Sequence, residues 1–363
     1  MLRVIETFQS RAALGQGGTG GGMRGKVVTI RHVARRAGVA VGTVSHYLNR
    51  SAPVADGTGR RIQRTIDRLG YRPDLGARGL RVRRTQSVGL VLPNISNPFY
   101  SEVAREVEHA LWEHGFQTLL CDSAGDRERE RMHLDGLESR RVDGILIIRS
   151  SGRAVPRTEP DRQPGVPVVY VDRAVAGKHS VTSDNRMGGE LAARHLAELG
   201  HRRIGVLAGE KAVLNVQQRL QGFRHELDRH GLALADDAVI NGPQALELGY
   251  EVERLVRLQP RPTAVFATND IVAIGAWRRL LELGFRIPQE ISLVGFDDVE
   301  MSRLLFPPLT TVSQDKAAMG RQAASLLLRL LQGEELPPEH ILIAPRLVAR
   351  GSTAALEKEE APS

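Results

Sequence analysis

The chain has almost no cysteine and no long apolar segment. Its single cysteine, Cys121, excludes a disulfide framework and a zinc site made of several cysteines, and it is consistent with a reducing cytoplasm. The longest apolar run, residues 144–148, is far shorter than the roughly 18 residues of a membrane span. The first residues lack an apolar segment followed by a small-residue cleavage site. We therefore expect a cytoplasmic protein with no membrane contact.

Catalytic motifs are lacking as well. The sequence contains no G-x-S-x-G motif, no P-loop and no histidine pair with the helical spacing of a metal site. The pair Asp297-Asp298 could be catalytic carboxylates, but adjacent strand residues point to opposite faces. A glycine run at residues 15–20 matches G-x-G-x-x-G, yet no strand precedes it and no helix follows, so we interpret it as a flexible linker. We expect no enzymatic activity, no cofactor and no bound metal.

Positive charge is concentrated near the start of the chain. Residues 24–84 contain 15 Arg and Lys against three Asp, whereas residues 85–363 have a net charge of −5. A compact basic segment ahead of a mildly acidic body is typical of a nucleic-acid-binding protein, although a solvated basic tail would have the same charge. The 363 residues, 41% of them hydrophobic, are enough for two or three domains.

Residues 29–49 have the pattern of two short helices joined at a glycine. Thr29 can cap the first helix by accepting a backbone N–H bond at its hydroxyl. The apolar face of that helix repeats at helical spacing in Ile30, Val33, Ala34 and Ala37. Gly38 interrupts the pattern, because glycine adopts a left-handed conformation without strain. The second helix buries Val44 and presents the following residues outward: Val41, Gly42, Ser45, His46 and Asn49.

A third helix is predicted at residues 57–69, with Ile62, Ile66 and Leu69 facing the first two helices. Its arginines stay outside, where they can contact phosphates. A three-helix unit with this much surface arginine favours a helix-turn-helix DNA-binding domain over an ordinary amphipathic helix pair.

From Ser87 onward, short apolar runs alternate with amphipathic segments. Runs of Val, Ile and Leu on both faces indicate buried parallel strands covered by helices. The predicted strands are 87–93, 116–123, 142–150, 166–172, 203–209, 237–242, 264–270 and 291–298, with a closing strand at 340–350. The predicted helices are 98–114, 126–140, 187–199, 217–230, 246–258, 270–283 and 316–332. So many units predict two α/β lobes, with a ligand site between them at the carboxyl ends of the strands.

Several long motifs occur in order between about residues 27 and 352. They are VTIRHVARRAGVAVGTVSHYLN, RLGYRPDLGARGLRVRRTQSVGLVLPNISNPFY, RVDGILI, LGHRRIGVLAG, RLQGF, RPTAVFATND, ISLVGFDD and LTTVSQD. Together they resemble the lactose-repressor (LacI/GalR) family of bacterial transcription regulators. The resemblance implies an α/β fold class with an N-terminal three-helix head and a two-lobe core like that of periplasmic binding proteins.

The resemblance also implies which residues contact DNA. Val41, Gly42 and His46 would face base edges in the major groove. Residues 74–82 resemble the family's hinge helix, which orders on operator DNA, and two glycines make this segment a poor helix by itself. In the hinge, Ala77 would approach the minor groove and Leu80 would wedge into the central base step. The other expected contacts lie in the head, at Thr29, Arg31, Ser45, Asn49, Thr58 and Tyr71.

Four positions depart from the family pattern. His32 stands where an acidic residue is usual, and Ala40 stands where a serine caps the recognition helix. His46 stands where arginine is common, and Asp74 where asparagine is usual. The chain still resembles the family at the other positions. The four departures affect which operator sequence it prefers and how strongly it binds DNA.

The strand ends of the core supply candidates for effector binding. Arg219 matches the cleft arginine of the family, and an ion pair between Arg219 and Asp297 is the alternative to ligand contact. Phe99 offers an apolar ring face. Asp270 and Asn185 can each either contact the ligand or cap a helix. The predicted effector residues are Asn97, Phe99, Arg219, Asn269, Asp270, Asp297 and Gln314, with Tyr100 and Asn185 as further candidates.

The sequence therefore predicts a homodimeric repressor that binds a palindromic operator and responds to a sugar-like effector in the cleft. The predicted domains are a flexible extension (1–26), the head (27–73), the hinge (74–84), the core (85–352) and a disordered tail (353–363). The alternatives are a sugar-binding protein of a transport system, which residues 29–80 argue against, and a sugar-modifying enzyme.

We expect His46→Arg to change the preferred operator half-site, because arginine can bond guanine bidentately and imidazole cannot. Selection of bound sequences from a random DNA pool, carried out for both proteins, measures the preference. Identical half-sites for the two proteins would reject a base-contacting role for His46.

Overall fold

The structure is a computed structural model that describes residues 28–49, 51–71, 85–149 and 165–356. The chain divides into two compact units, which we call the head (described residues 28–71) and the core (described residues 85–356). The predicted extension at 1–26 and the predicted hinge, with Ala77 and Leu80, lie outside the described residues.

The head consists of three helices around a small apolar centre. They are α1 (Ile30–Ala37), α2 (Val41–Asn49) and α3 (Asp56–Leu69). Val33, Val44 and Ile62, one from each helix, are fully buried and pack together. Gly38 ends α1 in the left-handed conformation, with a φ of 62°, as its position between the helices predicts. The helix-turn-helix prediction is confirmed.

The core contains two six-stranded sheets, one in each lobe. Lobe 1 has the strand order β11-β5-β4-β3-β1-β2, and lobe 2 has the order β12-β10-β9-β8-β6-β7. The strands of lobe 1 are β1 (Ser87–Leu92), β2 (Gln117–Asp122), β3 (Gly144–Ile147), β4 (Val168–Val171), β5 (Ser180–Ser183) and β11 (His340–Ile343). The strands of lobe 2 are β6 (Ile204–Ala208), β7 (Val239–Asn241), β8 (Ala264–Ala267), β9 (Ser292–Asp297), β10 (Thr310–Ser313) and β12 (Arg346–Val348). All neighbouring strands are parallel except β10 and β12.

Helices cover both faces of each sheet, so the inner apolar strands are buried as predicted, whereas the edge strand β2 stays partly exposed. The helices of the core are α4 (Pro98–Glu113), α5 (Arg127–Ser139), α6 (Asn185–Glu198), α7 (Leu214–Arg229), α8 (Leu246–Tyr250), α9 (Val252–Val256), α10 (Asp270–Glu282) and α11 (Lys316–Leu331). The last of these, α11, packs with α4 on the sheet of lobe 1. No helix among the described residues has the length and apolar character needed to cross a membrane.

Three predictions about the core are wrong. The segment 340–350 is not one closing strand, because Pro345 interrupts it and its halves join different lobes as β11 and β12. The helix predicted at 246–258 is two short helices, α8 and α9. The start of the predicted tail is packed: the Leu356 N–H donates to the Leu199 carbonyl at 2.9 Å, and the Ala354 N–H donates to Ser292 Oγ at 3.1 Å.

The closest helix crossing in lobe 2 depends on glycine. A Cβ on Gly189 of α6 would lie 2.0 Å from the Arg219 carbonyl oxygen of α7, and a Cβ on Gly222 of α7 would lie 1.9 Å from the Arg186 carbonyl oxygen. Both neighbours are backbone atoms, so neither can move without separating the helices.

We therefore expect Gly189→Ala to lower the free energy of unfolding by about 3 kcal/mol, the cost of overpacking a rigid contact. Gly136→Ala in α5 is the matched control, since its Cβ would meet only the mobile end of Arg140 at 3.2 Å. The control should keep or slightly raise the stability. Urea unfolding of both variants measures the difference, and equal stability of the two would contradict the close-crossing explanation.

Candidate functional site

The outer face of α2 in the head is the predicted DNA-reading surface. Val41, Gly42 and His46 are exposed, whereas Val44 on the opposite face is fully buried. Ser45 is half-buried, and Asn49 ends the helix. The His46 imidazole Nδ1 lies 3.0 Å from Ser51 Oγ, which orients the ring at the end of the helix. The helix thus presents a short polar face of the kind that enters the major groove.

The other predicted head residues are distributed around this face. Thr29 is the N-cap of α1, and Arg31 is exposed in its first turn. Thr58 is half-buried in the first turn of α3. Tyr71 is half-buried against the apolar centre of the head, so its ring has a packing role beside any DNA contact. The exposed arginines of the head helices are Arg31, Arg35, Arg36, Arg60, Arg61, Arg64 and Arg68.

The start of α1 shows how the chain accommodates His32. The Thr29 backbone N–H donates to His32 Nδ1 at 3.0 Å, and the Thr29 hydroxyl lies 3.1 Å from the same nitrogen. A capping box normally uses glutamate or glutamine for this reciprocal bond. The imidazole therefore replaces part of the stabilisation that the missing acidic residue would supply.

A polar cavity opens in the core where the strands of both lobes end. Its empty volume, counted together with the solvent space at its mouth, is about 440 Å³. Five of the predicted effector residues line it: Asn97, Phe99, Arg219, Asn269 and Asp297. It is also lined by Tyr100, Ile148, Arg149, Asp172, Arg173, Val213, Asn215 and Gln244.

Arg219 is the centre of the cavity wall formed by lobe 2. Only 4% of the residue is exposed. Its Nε donates to Asn185 Oδ1 at 2.7 Å, and its Nη1 donates to the Thr268 carbonyl at 2.6 Å and lies 3.6 Å from Asp297 Oδ1. The guanidinium carbon also lies 3.8 Å from the centre of the Phe296 ring. Arg219 and Asp297 therefore form an ion pair while both also line the cavity.

Asp297 is held from behind by Gln314. Gln314 Nε2 donates to Asp297 Oδ1 at 2.6 Å, and Gln314 itself is fully buried outside the cavity lining. Gln314 Oε1 is buried with no partner among the described residues, and contact of Gln314 with the effector stays a prediction that its place outside the lining does not support. Burial raises the pKa of Asp297 to about 7, against the opposing effect of Arg219 and Lys316.

Asp270 does not line the cavity and its carboxyl group is bonded within the protein, so its ligand contact stays a prediction that these bonds do not support. Its Oδ1 accepts the Thr311 hydroxyl at 2.6 Å and its Oδ2 accepts the Val299 N–H at 2.9 Å. The alternative role as a helix cap belongs to Asn269, whose Oδ1 accepts the Val272 N–H at 2.8 Å. The Asp270 carboxylate instead ties β10 to the segment after β9.

Asn185 does not have the capping role that was the alternative to ligand contact. Asp184 caps α6 by accepting the Met187 N–H at 2.9 Å. Asn185 is fully buried and uses its amide to hold Arg219 on one side and the Ser183 carbonyl, at 3.1 Å, on the other. It acts on the cavity only through Arg219.

Asp172 is the cavity residue that the sequence interpretation missed. It follows β4 directly, with a φ of 64°. Its Oδ2 accepts Asn215 Nδ2 at 2.9 Å, and its Oδ1 is buried with no partner among the described residues. Burial raises the pKa of Asp172 to about 6, and Arg219 and Arg173 oppose that rise. The available signal was its place after the apolar run 166–171, the same rule that selected Asp297.

The two carboxylates of the Asp297-Asp298 pair point to different partners. Asp298 hydrogen-bonds to Arg350 and lies 3.6 Å from Arg303, away from Arg219. Asp297 and Asp298 thus have different charged partners. Within the described ranges, no cluster of His, Cys, Asp or Glu side chains could hold a metal ion. Cys121 is half-buried in β2, where burial raises the pKa of its thiol.

Burial, together with the charge of Asp297, raises the pKa of Asp270 from its ordinary value of 3.8 to about 8. The folded state then binds a proton that the unfolded state releases, so the free energy of unfolding falls as pH rises from about 4 to about 8. We expect Asp270→Asn to remove part of this fall. Relative to the unmodified protein, the variant should gain at least about 1 kcal/mol of stability between pH 5 and pH 8.

Urea unfolding at the two pH values measures this gain. Asp236→Asn, at an exposed carboxylate, is the control and should show no such trend. A parallel pH dependence in the unmodified protein and Asp270→Asn would contradict a protonated Asp270.

Comparison with known proteins places both units in one family. Residues 29–74 match the model of bacterial regulatory proteins of the lacI family, and residues 193–353 match a periplasmic binding protein-like domain. The transcriptional repressor PurR of Mannheimia succiniciproducens is 36% identical over 329 residues, which are 90% of this chain and 98% of that repressor. The ribose operon repressor of Escherichia coli K12 is 34% identical over 329 residues, which are 90% of this chain and 100% of that repressor.

Solved structures agree with these relatives. The lac repressor dimer bound to operator and the anti-inducer ONPF aligns with a TM-score of 0.80 and 27% identity, over 91% of this chain and 100% of the other. The relatives are transcriptional repressors, not enzymes, and they match this chain from the head to the end of the core. With its helix-turn-helix head and two-lobe α/β core, the chain belongs to the lacI family of bacterial regulatory proteins, which control transcription by binding DNA.

Proposed function

We propose that the protein is a cytoplasmic repressor whose hold on operator DNA is controlled by a small neutral sugar in the inter-lobe cavity. The observation that carries the choice of ligand is the buried, unpartnered Oδ1 of Asp172, among the described residues, in the cavity wall that also contains Arg219. A buried carboxylate oxygen without a hydrogen-bond donor is costly. A sugar hydroxyl entering the cavity would supply that donor.

The charges around the cavity favour an uncharged ligand. Three arginines line it, but Arg149 pairs with Glu130 at 3.0 Å, and Asp172 and Asp297 balance the other two. A phosphorylated sugar would add negative charge without a surplus of cations to neutralise it. Phe99 gives the cavity an apolar ring that can pack against the C–H face of a sugar. The ribose operon repressor among the relatives makes D-ribose the first sugar to test.

The DNA-contacting residues of this proposal are those of the head face. Val41, Gly42, Ser45 and His46 would face base edges, with Asn49 and Thr58 near the backbone. Thr29, Arg31 and Tyr71 would contact phosphates or support the residues that do. Ala77 and Leu80 of the hinge segment would reach the minor groove, as the family resemblance implies.

We propose a homodimer, because several large apolar side chains of the core are exposed in a single copy. Trp112 on α4, Leu120 on β2 and Met132 on α5 are exposed on lobe 1, and Leu304 and Phe306 are 79% and 93% exposed on lobe 2. A second copy could cover some of these exposed apolar side chains. Two heads would then reach the half-sites of a palindrome about one helical turn apart, as in the lac repressor dimer on its operator.

Ligand binding would change DNA affinity by shifting the population of lobe arrangements. A ligand can shift this equilibrium only as far as it prefers one arrangement over the other. The sign of the change separates an inducer, which weakens operator binding, from a corepressor, which strengthens it.

We expect D-ribose to raise the thermal midpoint, because any ligand that binds only the folded state stabilises it. Asp172→Asn should weaken ribose binding about 10-fold and Arg219→Ala about 30-fold or more, since each removes hydrogen bonds to a charged group. Isothermal titration measures both affinities. Arg224→Ala is the matched control on the same helix, because Arg224 pairs with the exposed Asp236 and does not line the cavity.

The same titration is repeated with ribose 5-phosphate and with a nucleobase. If the protein binds either of these compounds and no neutral sugar, the proposed ligand class is wrong and the class of the bound compound takes its place. If Arg219→Ala and Asp172→Asn both keep the full affinity of the control, the effector does not bind in this cavity.

A further inference from the structure

The loop after β9 is fixed by side chains from the other lobe. Lys316 Nζ donates to the carbonyl oxygens of Asp297 at 2.5 Å and Asp298 at 2.6 Å. The same ammonium lies 3.3 Å from Glu102 Oε2. A lysine ammonium has three N–H donors, and here each donor has one acceptor. The Lys316 and Glu102 side chains are only 11% and 19% exposed, so this is a built contact and not a surface pair.

Glu102 makes a second bond to the same loop. Its Oε1 accepts the Glu300 backbone N–H at 3.1 Å. Lys316 begins α11 and Glu102 lies in α4, two helices that pack together on the sheet of lobe 1. Asp297 ends β9 of lobe 2, and residues 298–300 follow it. Two side chains of lobe 1 therefore make three hydrogen bonds to backbone atoms of lobe 2.

The backbone of this loop needs such support. Asp297 and Asp298 have φ values of 116° and 51°, in a region that residues other than glycine rarely adopt. That conformation turns both carbonyl groups toward Lys316 while the Asp297 side chain lines the cavity beside Arg219. Removing the ammonium would leave two carbonyl oxygens and the Glu102 carboxylate without their shared donor.

We propose that Lys316 and Glu102 are positioning residues that hold the Asp297 carboxylate in the cavity and tie its position to the relative arrangement of the lobes. Neither side chain lines the cavity. Their effect on the effector is therefore indirect and acts through the 297–300 loop. The part of the inference that concerns ligand affinity rests on the proposed function, whereas the part that concerns the loop does not.

The test uses the full-length protein with Lys316→Met, Lys316→Arg and Glu102→Ala. Lys178→Met, in the turn between β4 and β5, is the matched control that removes the same charge elsewhere. Hydrogen exchange followed by mass spectrometry reports the protection of residues 297–303. Titration with D-ribose reports the affinity of the cavity.

We expect Lys316→Met and Glu102→Ala to speed exchange in residues 297–303 about 10-fold, and Lys316→Met to weaken ribose binding about 10-fold. Lys316→Arg should stay within about 3-fold of the unmodified protein in both measurements, because the guanidinium can donate to the same three acceptors. Lys178→Met should change neither.

Unchanged exchange in residues 297–303 of Lys316→Met would overturn the proposal. So would exchange that rises equally in β1 and β6, since that result means a general loss of stability. If the unmodified protein does not bind ribose, the sugar class of the proposed function fails, and the exchange measurement still decides whether Lys316 and Glu102 hold the loop.

Discussion

The core is built around the buried guanidinium of Arg219, which lies where its two lobes meet. A guanidinium removed from water is tolerable only when its donors and its charge are satisfied. Arg219 meets that condition with an asparagine, a backbone carbonyl, an aromatic ring and a carboxylate, which come from three segments of the chain. The cavity keeps its shape because these partners are fixed by strands and helix starts. The same polar groups then remain available to a ligand that enters beside them.

The head follows the opposite principle. Its apolar centre is small, so most side chains of its three helices lie on the surface. That surface contains arginines around an uncharged recognition helix, which separates non-specific phosphate contact from base recognition. The core has a net negative charge, so attraction to DNA is concentrated where the groove-reading helix lies.

The sequence predicted the elements well where periodicity was strong and poorly where the chain passes between lobes. The three head helices and most strands agree with the predicted positions. Strand β5, with the polar sequence Ser-Val-Thr-Ser, was not predicted, because its burial comes from neighbouring strands and not from its own composition. The prediction of one strand at 340–350 overlooked Pro345, which is a local signal against it, but the sheet that each half joins is set by tertiary contacts.

The sequence by itself determined the family, the division into head and core, and the strand ends that supply polar groups, because these follow from local patterns and charge. The tertiary structure decided which of those groups face the cavity. Asp270 and Asn185 have the right chemistry but are used within the protein, whereas Asp172 has an oxygen with no partner among the described residues. That distinction depends on which side chains satisfy one another across distant segments, and spacing along the chain does not encode it.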